Sequence, residues 1–507
     1  MAQPTGTSNV LATLDGRHPT AFYWRLTLLA TLGGFLFGYD TANIGSALNF
    51  VPYGLHGLAL GYLVSGASLG AAAGAIVAGP VADRFGRKAL LIVDAGIYAA
   101  GAILSAVTPD AAVLLIARTL IGVAIGADSA IATAYIAEFA PKNRRGSLAL
   151  LQQWMITVGI LIAYVVALII FSAFPDSAAT VGWRLVLGLG AVPALAGLVL
   201  RTQMPESPRW LLRHGRYEAV RRAMATLGAD VTIDDVRATA RIIDGAERSR
   251  KPRSAWTPGV RRALIVVSVF FIFQQITGIN VPLYYGPHLL GPIFSGGHAS
   301  LVATTVAGVE ITAIMTSVNV ASTYLGFRWI DRFGRRKLAI GGYTGMVVSA
   351  VVSAAGLAAL SGTVKLIVIM IGLNFFIASF AVGVGGTGWT LQGEVFPTAV
   401  RGQAAAFAAM IDWLANFALI EVFPVWQNAI TLGGAMVCFA ALCVLAIVFV
   451  YRFVPETKGL PVEDIVKLFD QHKRPQATVR ALAGRREPRT SLSQVGPLVR
   501  RAKLAVI

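Results

Sequence analysis

Charge is scarce in this 507-residue chain: only 13% of its residues are Asp, Glu, Lys or Arg. Soluble globular domains carry about a quarter, so a string of water-soluble enzyme domains is excluded. Cysteine is nearly absent. Cys438 and Cys443 sit in one late apolar run with no His or Cys at metal-ligand spacing, which excludes a disulfide framework and gives no metal site. No Gly-Lys-Ser or Gly-Lys-Thr phosphate loop occurs, so ATP-driven work has no visible engine, and the six histidines form no His-Glu-x-x-His motif. With no Ser-His-Asp set to nominate, the chain is not read as an enzyme, and no cofactor is expected. The first twenty residues are polar and contain Pro4, Asp15 and Pro19. They lack the basic start and apolar core of a signal peptide, so no cleavage is expected. Asn-x-Ser/Thr acceptors are also missing, which is compatible with a bacterial plasma membrane.

What the chain has instead is apolar length. Hydrophobic residues make up 56%, and 53 glycines and 22 prolines are spread through the apolar stretches; mean hydropathy is +0.67. Measured against the roughly 20 residues that cross a bilayer as a helix, runs start near Phe22, Leu58, Ala89, Ala111, Ser147, Leu185, Arg262, Leu301, Leu338, Val364, Gly402 and Ile430. The fold class predicted is therefore all-α, a polytopic membrane protein of twelve spans. The formal charge of +18 does not call for nucleic acid, because the cations cluster between apolar runs. They follow the even-numbered spans, at Arg84, Arg87, Lys88, Lys142, Arg144, Arg145, Arg209, Arg213, Arg332, Arg335, Arg336, Lys337 and Arg401, whereas the alternate loops hold essentially Lys365. The positive-inside rule then places these loops and both termini in the cytoplasm.

A polar, Arg-rich segment at 204–260, with Glu206, Glu218, Asp234, Asp235, Asp244 and Glu247, divides the spans into six (1–203) and six (261–454), with a tail at 455–507. The linker is read as short cytoplasmic helices. The two halves share landmarks in order. Asp83-Arg84-Phe85-Gly86-Arg87-Lys88 follows the second span and Asp331-Arg332-Phe333-Gly334-Arg335-Arg336-Lys337 the eighth. Glu138 precedes Arg145-Gly146 as Glu394 precedes Arg401-Gly402, and Pro205-Glu206-Ser207 is echoed by Pro455-Glu456-Thr457. Copies of six spans keep one orientation, so the halves are expected to be two bundles related by an axis along the membrane normal, with a cavity between them. The repeated charges Asp83, Arg84, Arg87, Glu138, Arg145, Glu206, Asp331, Arg332, Arg335, Glu394, Arg401 and Glu456 suggest a gate joining the bundles on the cytoplasmic side in one state. Fixing topology is the plainer alternative for the same residues.

These elements resemble the sugar porter branch of the major facilitator superfamily. The resemblance runs from about Phe22 to Leu460. It is carried by Gly79-Pro80-Val81-Ala82-Asp83-Arg84-Phe85-Gly86-Arg87-Lys88, by Pro205-Glu206-Ser207-Pro208-Arg209-Trp210-Leu211-Leu212, by Gln274-Gln275-Ile276-Thr277-Gly278-Ile279-Asn280 and by Pro455-Glu456-Thr457-Lys458-Gly459. One departure is Phe327, which stands four residues before Asp331 where the first copy has Gly79. The resemblance implies alternating access around one midplane site.

Seven polar side chains on apolar spans matter for a hydroxylated ligand: Gln153, Gln274, Gln275, Asn280, Asn319, Trp389 and Asn416. Gln275 and Asn280 come close to one face where Gly278 and Pro282 break the seventh helix. Amides both donate and accept, which suits a neutral polyol, whereas a carboxylate substrate would ask for cations in the cavity. The resemblance implies that all seven are sugar-binding positions, with Trp389 covering the pyranose face. Hydrogen bonding between helices is the structural alternative, at about 0.6–2 kcal/mol per contact. Asp412, directly before Trp413, is a further candidate for touching substrate or sharing a proton.

Asp40 and Arg118 fall at similar depth on the first and fourth spans and are expected to meet. Arg118 stays charged, so Asp40 ionises beside it and takes a proton when the helices part. The resemblance supports this, since Gly38-Tyr39-Asp40 is the form found in proton-coupled sugar porters, whereas facilitative relatives usually have Asn. A static salt bridge is the alternative. Gly122 and Gly126, at four-residue intervals after Arg118, are expected to pack, and no role is assigned to Asp94, Asp128, Glu310 or Glu421. The function expected is import of a monosaccharide or polyol with a proton by a monomer in the lipid bilayer. A facilitative uniporter and a non-transporting sugar sensor are the rivals.

Overall fold

A chain deprived of water must satisfy its backbone internally, and unbroken apolar sequence does so as helix. The structure, a computed structural model, describes residues 10, 21–139, 145–249, 256–295, 299–397, 400–460 and 462–470, and among these there is no strand. Among the described residues ten helices are long and apolar enough to cross a membrane. The first span consists of two shorter helices, Ala21–Ala30 and Leu32–Ala47, which meet at Thr31. The last, Arg401–Phe453, contains two spans, because Thr431 breaks it at φ 62° and ψ 169°. The twelve spans expected are thus present, the last two separated by a single strained residue.

The second to sixth spans are Gly57–Phe85, Arg87–Val107, Ala111–Phe139, Arg145–Ala173 and the pair Trp183–Gly188 and Ala191–Thr202. The seventh is broken as expected, into Pro258–Ile276 and Asn280–Phe294, with Gly278 at φ 91° between. The eighth and ninth are Leu301–Phe333 and Arg335–Ala359; the tenth runs Gly362–Phe380, widens into a π turn at Ala381–Gly385, and resumes at Gly386–Val395.

Small residues set the helix spacing. A Cβ on Gly122 or Gly126 would lie 2.0 Å from the carbonyl oxygen of Ala67 or Ala71, so the fourth span rests directly on the backbone of the second. These two are the packing residues expected of them. At Gly79, by contrast, a Cβ would meet nothing within 4 Å, so the first copy makes no close contact at the position where the second carries Phe327.

The linker forms the helices Pro208–Arg213, Tyr217–Thr226 and Ile233–Ser249. Met204, Trp210, Leu211 and Leu212 pack with Tyr135 and Phe139 at the end of the fourth span, and the Trp210 indole donates to Asp83 O at 2.8 Å. After the twelfth span, helix Val462–Asp470 lies on the seventh. Ile465 and Phe469 are buried with Ala263, Val267 and Phe271, so the first part of the expected tail belongs to the folded body.

Candidate transport site

Four of the polar residues singled out from the sequence form one hydrogen-bonded chain. The Gln275 amide donates to Asp412 Oδ1 at 2.7 Å, and Asn280 Nδ2 donates to Gln275 Oε1 at 2.8 Å and to Asn416 Oδ1 at 2.9 Å. The break at Gly278 makes this possible, because residues five apart on a regular helix face different ways. Asn416 then donates to Ser68 Oγ at 2.9 Å on the second span, carrying the chain across to the first six-helix half. Ser68 was missed in the sequence, where one hydroxyl in a Gly- and Ala-rich run has no distinguishing signal. Phe37 and Trp413, the residue after Asp412, meet edge to face at 4.9 Å.

The other candidates lie apart from this chain. Gln274 turns away and donates to Gly385 O in the π turn of the tenth span, at 3.2 Å. Trp389 is partly buried against Phe271, ring centroids 5.0 Å apart. Gln153 lines a cavity with Thr323, Phe327 and Thr387, and Asn319 accepts from Thr323 one turn away at 3.4 Å.

Asp40 and Arg118 meet as expected. Both are buried and joined by an ion pair, and Arg118 Nε also donates to Leu63 O at 3.2 Å. A bare charge at this depth would cost several kcal/mol, so the pair and the carbonyl contact are what hold Arg118 there. Nη2 of Arg118 has no hydrogen-bond partner.

The repeated charges are expected to join the bundles in one state of the cycle; in the state seen in the structure each set closes on its own half. Arg87 pairs with Asp83 at 2.8 Å and Glu138 at 3.2 Å, and its backbone N–H donates to Glu206 at 3.0 Å. Arg335 repeats this with Asp331 at 2.9 Å, Glu394 at 2.6 Å and Glu456 at 3.0 Å. The cause is local geometry: a one-residue Gly turn between consecutive spans puts the Arg at the start of a helix, where the next carboxylates in reach belong to the same bundle. Arg84 and Arg332 stack on Phe85 and Phe333 at 5.2 and 5.6 Å. Arg401 donates to Phe396 O at 3.0 Å. The Arg145 side chain, with Lys142 and Arg144, lies outside the described residues.

At the end opposite these basic loops the two halves are hydrogen-bonded together. Asn49 donates to Thr305 at 3.0 Å and contacts His288 at 2.6 Å, Tyr164 donates to Leu283 O at 2.7 Å, and Ser65 donates to Glu421 at 2.7 Å. Glu421, unassigned from the sequence, is therefore part of a contact between the halves.

The family profile described as "Sugar (and other) transporter" matches residues 26–469. The glucose transporter GlcP of Staphylococcus epidermidis is 34% identical over 444 residues, covering 86% of this chain and 95% of that one. The D-xylose-proton symporter of Escherichia coli is 32% identical over 506 residues, covering 92% and 99%. Among solved structures, the xylose transporter XylE from E. coli in a partially occluded inward open conformation superposes with a TM-score of 0.74 at 30% identity, covering 87% of this chain and 99% of that one. With the fold and these matches together, the chain belongs to the sugar porter family of the major facilitator superfamily and is a multi-pass membrane transporter, not an enzyme.

Proposed function

We propose that this sugar transporter imports a monosaccharide or related polyol together with a proton, by alternating access between two six-helix bundles. The observation that carries the reading is the buried Asp40–Arg118 pair, since a carboxylate held by a guanidinium on a different helix gains a proton when the helices separate. Relatives described as proton symporters, for D-xylose in E. coli and for arabinose in Bacillus subtilis, are consistent with it. One charge crossing 100 mV supplies about 2.3 kcal/mol, and each 1.4 kcal/mol corresponds to about tenfold accumulation, so concentrative uptake is energetically feasible.

The sugar site in this reading centres on Gln275, Asn280, Asn416 and Asp412, with Gln153, Gln274, Asn319 and Trp389 closing in as the bundles move. Amides that bond one another exchange those bonds for sugar hydroxyls, at little net cost for a ligand that donates and accepts equally. Asp412 accepts a hydrogen bond from a sugar hydroxyl or shares the transported proton. The basic loops and both termini face the cytoplasm of a bacterial cell, so the hydrogen-bonded end of the halves is the closed outer side. The duplicated charges act as the inner gate, exchanging their present partners when the cytoplasmic side closes, and the protein works as a monomer. Sugar-induced alkalinisation around proteoliposomes, run over pentoses, hexoses and inositols, tests symport and identifies the substrate. A uniporter gives counterflow without alkalinisation, and a sensor gives neither.

A further inference from the structure

Three spans bring a second set of ionisable groups together that sugar binding and Asp40 do not use. Arg201, at the end of the sixth span, has no exposed surface. Its Nη1 donates to Asp94 Oδ1 on the third span at 2.8 Å, and its Nη2 lies 2.5 Å from Asp128 Oδ2 on the fourth. Both aspartates are almost fully buried, and the one guanidinium faces both carboxyl groups. Two carboxylates facing one guanidinium leave an unbalanced negative charge in a medium that does not tolerate one. Asp94 Oδ2 and Asp128 Oδ1 moreover have no hydrogen-bond donor from the protein, so each carboxyl group keeps an oxygen free to hold a proton.

No other cation supplies the missing charge among the described residues nearby. Tyr98, one turn from Asp94, spends its hydroxyl on Leu36 O at 3.0 Å, and Lys88 places its ammonium on Thr202 O at 2.6 Å. From the fifth span Gln152 faces Thr133 at 2.8 Å. The Asp40–Arg118 pair lies farther along the bundle, Arg118 ten residues from Asp128 on the same helix, a rise of about 15 Å. The first span contributes backbone: Leu29 O accepts from Arg201 Nε at 3.3 Å, and a Cβ on Gly33 would fall 1.7 Å from Asp128 Oδ1.

We propose that Asp94 and Asp128 hold one proton between them on Arg201, making a second proton-binding site in the first bundle. The proton bridges the two facing carboxyl oxygens, so the cluster is neutral as a whole. The first span lies directly on this site at Leu29 and Gly33 and carries Asp40 two turns farther on, so one helix touches both proton sites. The claim holds whether or not Asp40 couples transport.

Infrared spectra of the purified full-length protein in lipid at neutral pH test it through the C=O band of a protonated carboxyl group. The wild type is expected to show a band that disappears in Asp94→Asn and equally in Asp128→Asn, because either change leaves one carboxylate ionised against Arg201. Asp40→Asn and Asp412→Asn mark any contribution of those side chains. Each single change keeps the cluster neutral and nearly the same shape, and sugar counterflow verifies the fold. Should one variant not fold, the other decides. A band that keeps its full wild-type intensity in either aspartate variant overturns the shared proton, as does its absence from the wild type.

Discussion

Asn416 donates to Ser68 across the two halves of the molecule at 2.9 Å, while its carbonyl accepts from Asn280 at 2.9 Å. One amide therefore joins the seventh, eleventh and second spans and ends a polar chain that begins at Asp412. In the proposed cycle a sugar replaces these bonds, so residues that join the halves also hold the ligand.

Asn416→Ala is expected to weaken sugar binding about tenfold or more. In the proposed complex it removes the two hydrogen bonds that Asn416 would give to sugar hydroxyls, each worth about 1 kcal/mol, and 1.4 kcal/mol is tenfold. Ser68→Ala should cost only severalfold. Equilibrium binding of labelled sugar in detergent measures both, and unchanged affinity in Asn416→Ala would remove it from the site.

Gly86 and Gly334 lie at φ 105° and 91°, and a Cβ on either would fall 2.2 or 2.4 Å from an Oε2 of Glu206 or Glu456. Alanine at either place brings both backbone strain and collision, at about 1–3 kcal/mol. Each variant should melt several degrees below the wild type in detergent, and equal melting of all three proteins would contradict the turn's role.

Gly61 faces the Glu421 backbone so closely that a Cβ would sit 2.1 Å from its carbonyl oxygen. Gly61→Trp is therefore expected to wedge the outer side open, stopping exchange while leaving sugar binding from that side. Normal exchange by this variant would show that the contact opens and closes without close approach.

Burial pushes the Glu206 carboxyl above the ordinary 4.5, against the opposing pull of the Ser207, Lys88 and Arg87 backbone N–H groups. The folded protein therefore holds this proton more tightly than the unfolded chain. The stability due to it is complete below pH 4.5 and is lost as pH rises through the folded value. Glu206→Gln should flatten that part of the melting-temperature profile, and an identical slope in the variant would assign it to other groups.

Much of the architecture was legible because the bilayer demands it. The lengths of apolar runs, the break at Gly278 and the duplicated Asp-Arg-Phe-Gly-Arg loops all act locally. The meeting of Asp40 with Arg118 was also legible, since two opposite charges at equal depth have few other partners. Direction around the helix axis was not. Gln275 and Asn280 could be put on one face, but what adjacent Gln274 and Gln275 would meet could not be told: one turns to Gly385 and the other to Asp412. Arg87 and Arg335 have carboxylates in their own bundle within reach, a matter of turn geometry that the motif's repetition does not express. The Asp94, Asp128 and Arg201 cluster was invisible as a unit, because its members stand on three helices and none belongs to a repeated motif.

Sugar-induced alkalinisation in proteoliposomes carrying Asp40→Asn tests the proposed coupling most directly. The account predicts that the wild type takes up protons with sugar and concentrates it, while the variant exchanges sugar across the membrane without moving protons or accumulating anything. Proton uptake and accumulation at wild-type levels after this one substitution would contradict it.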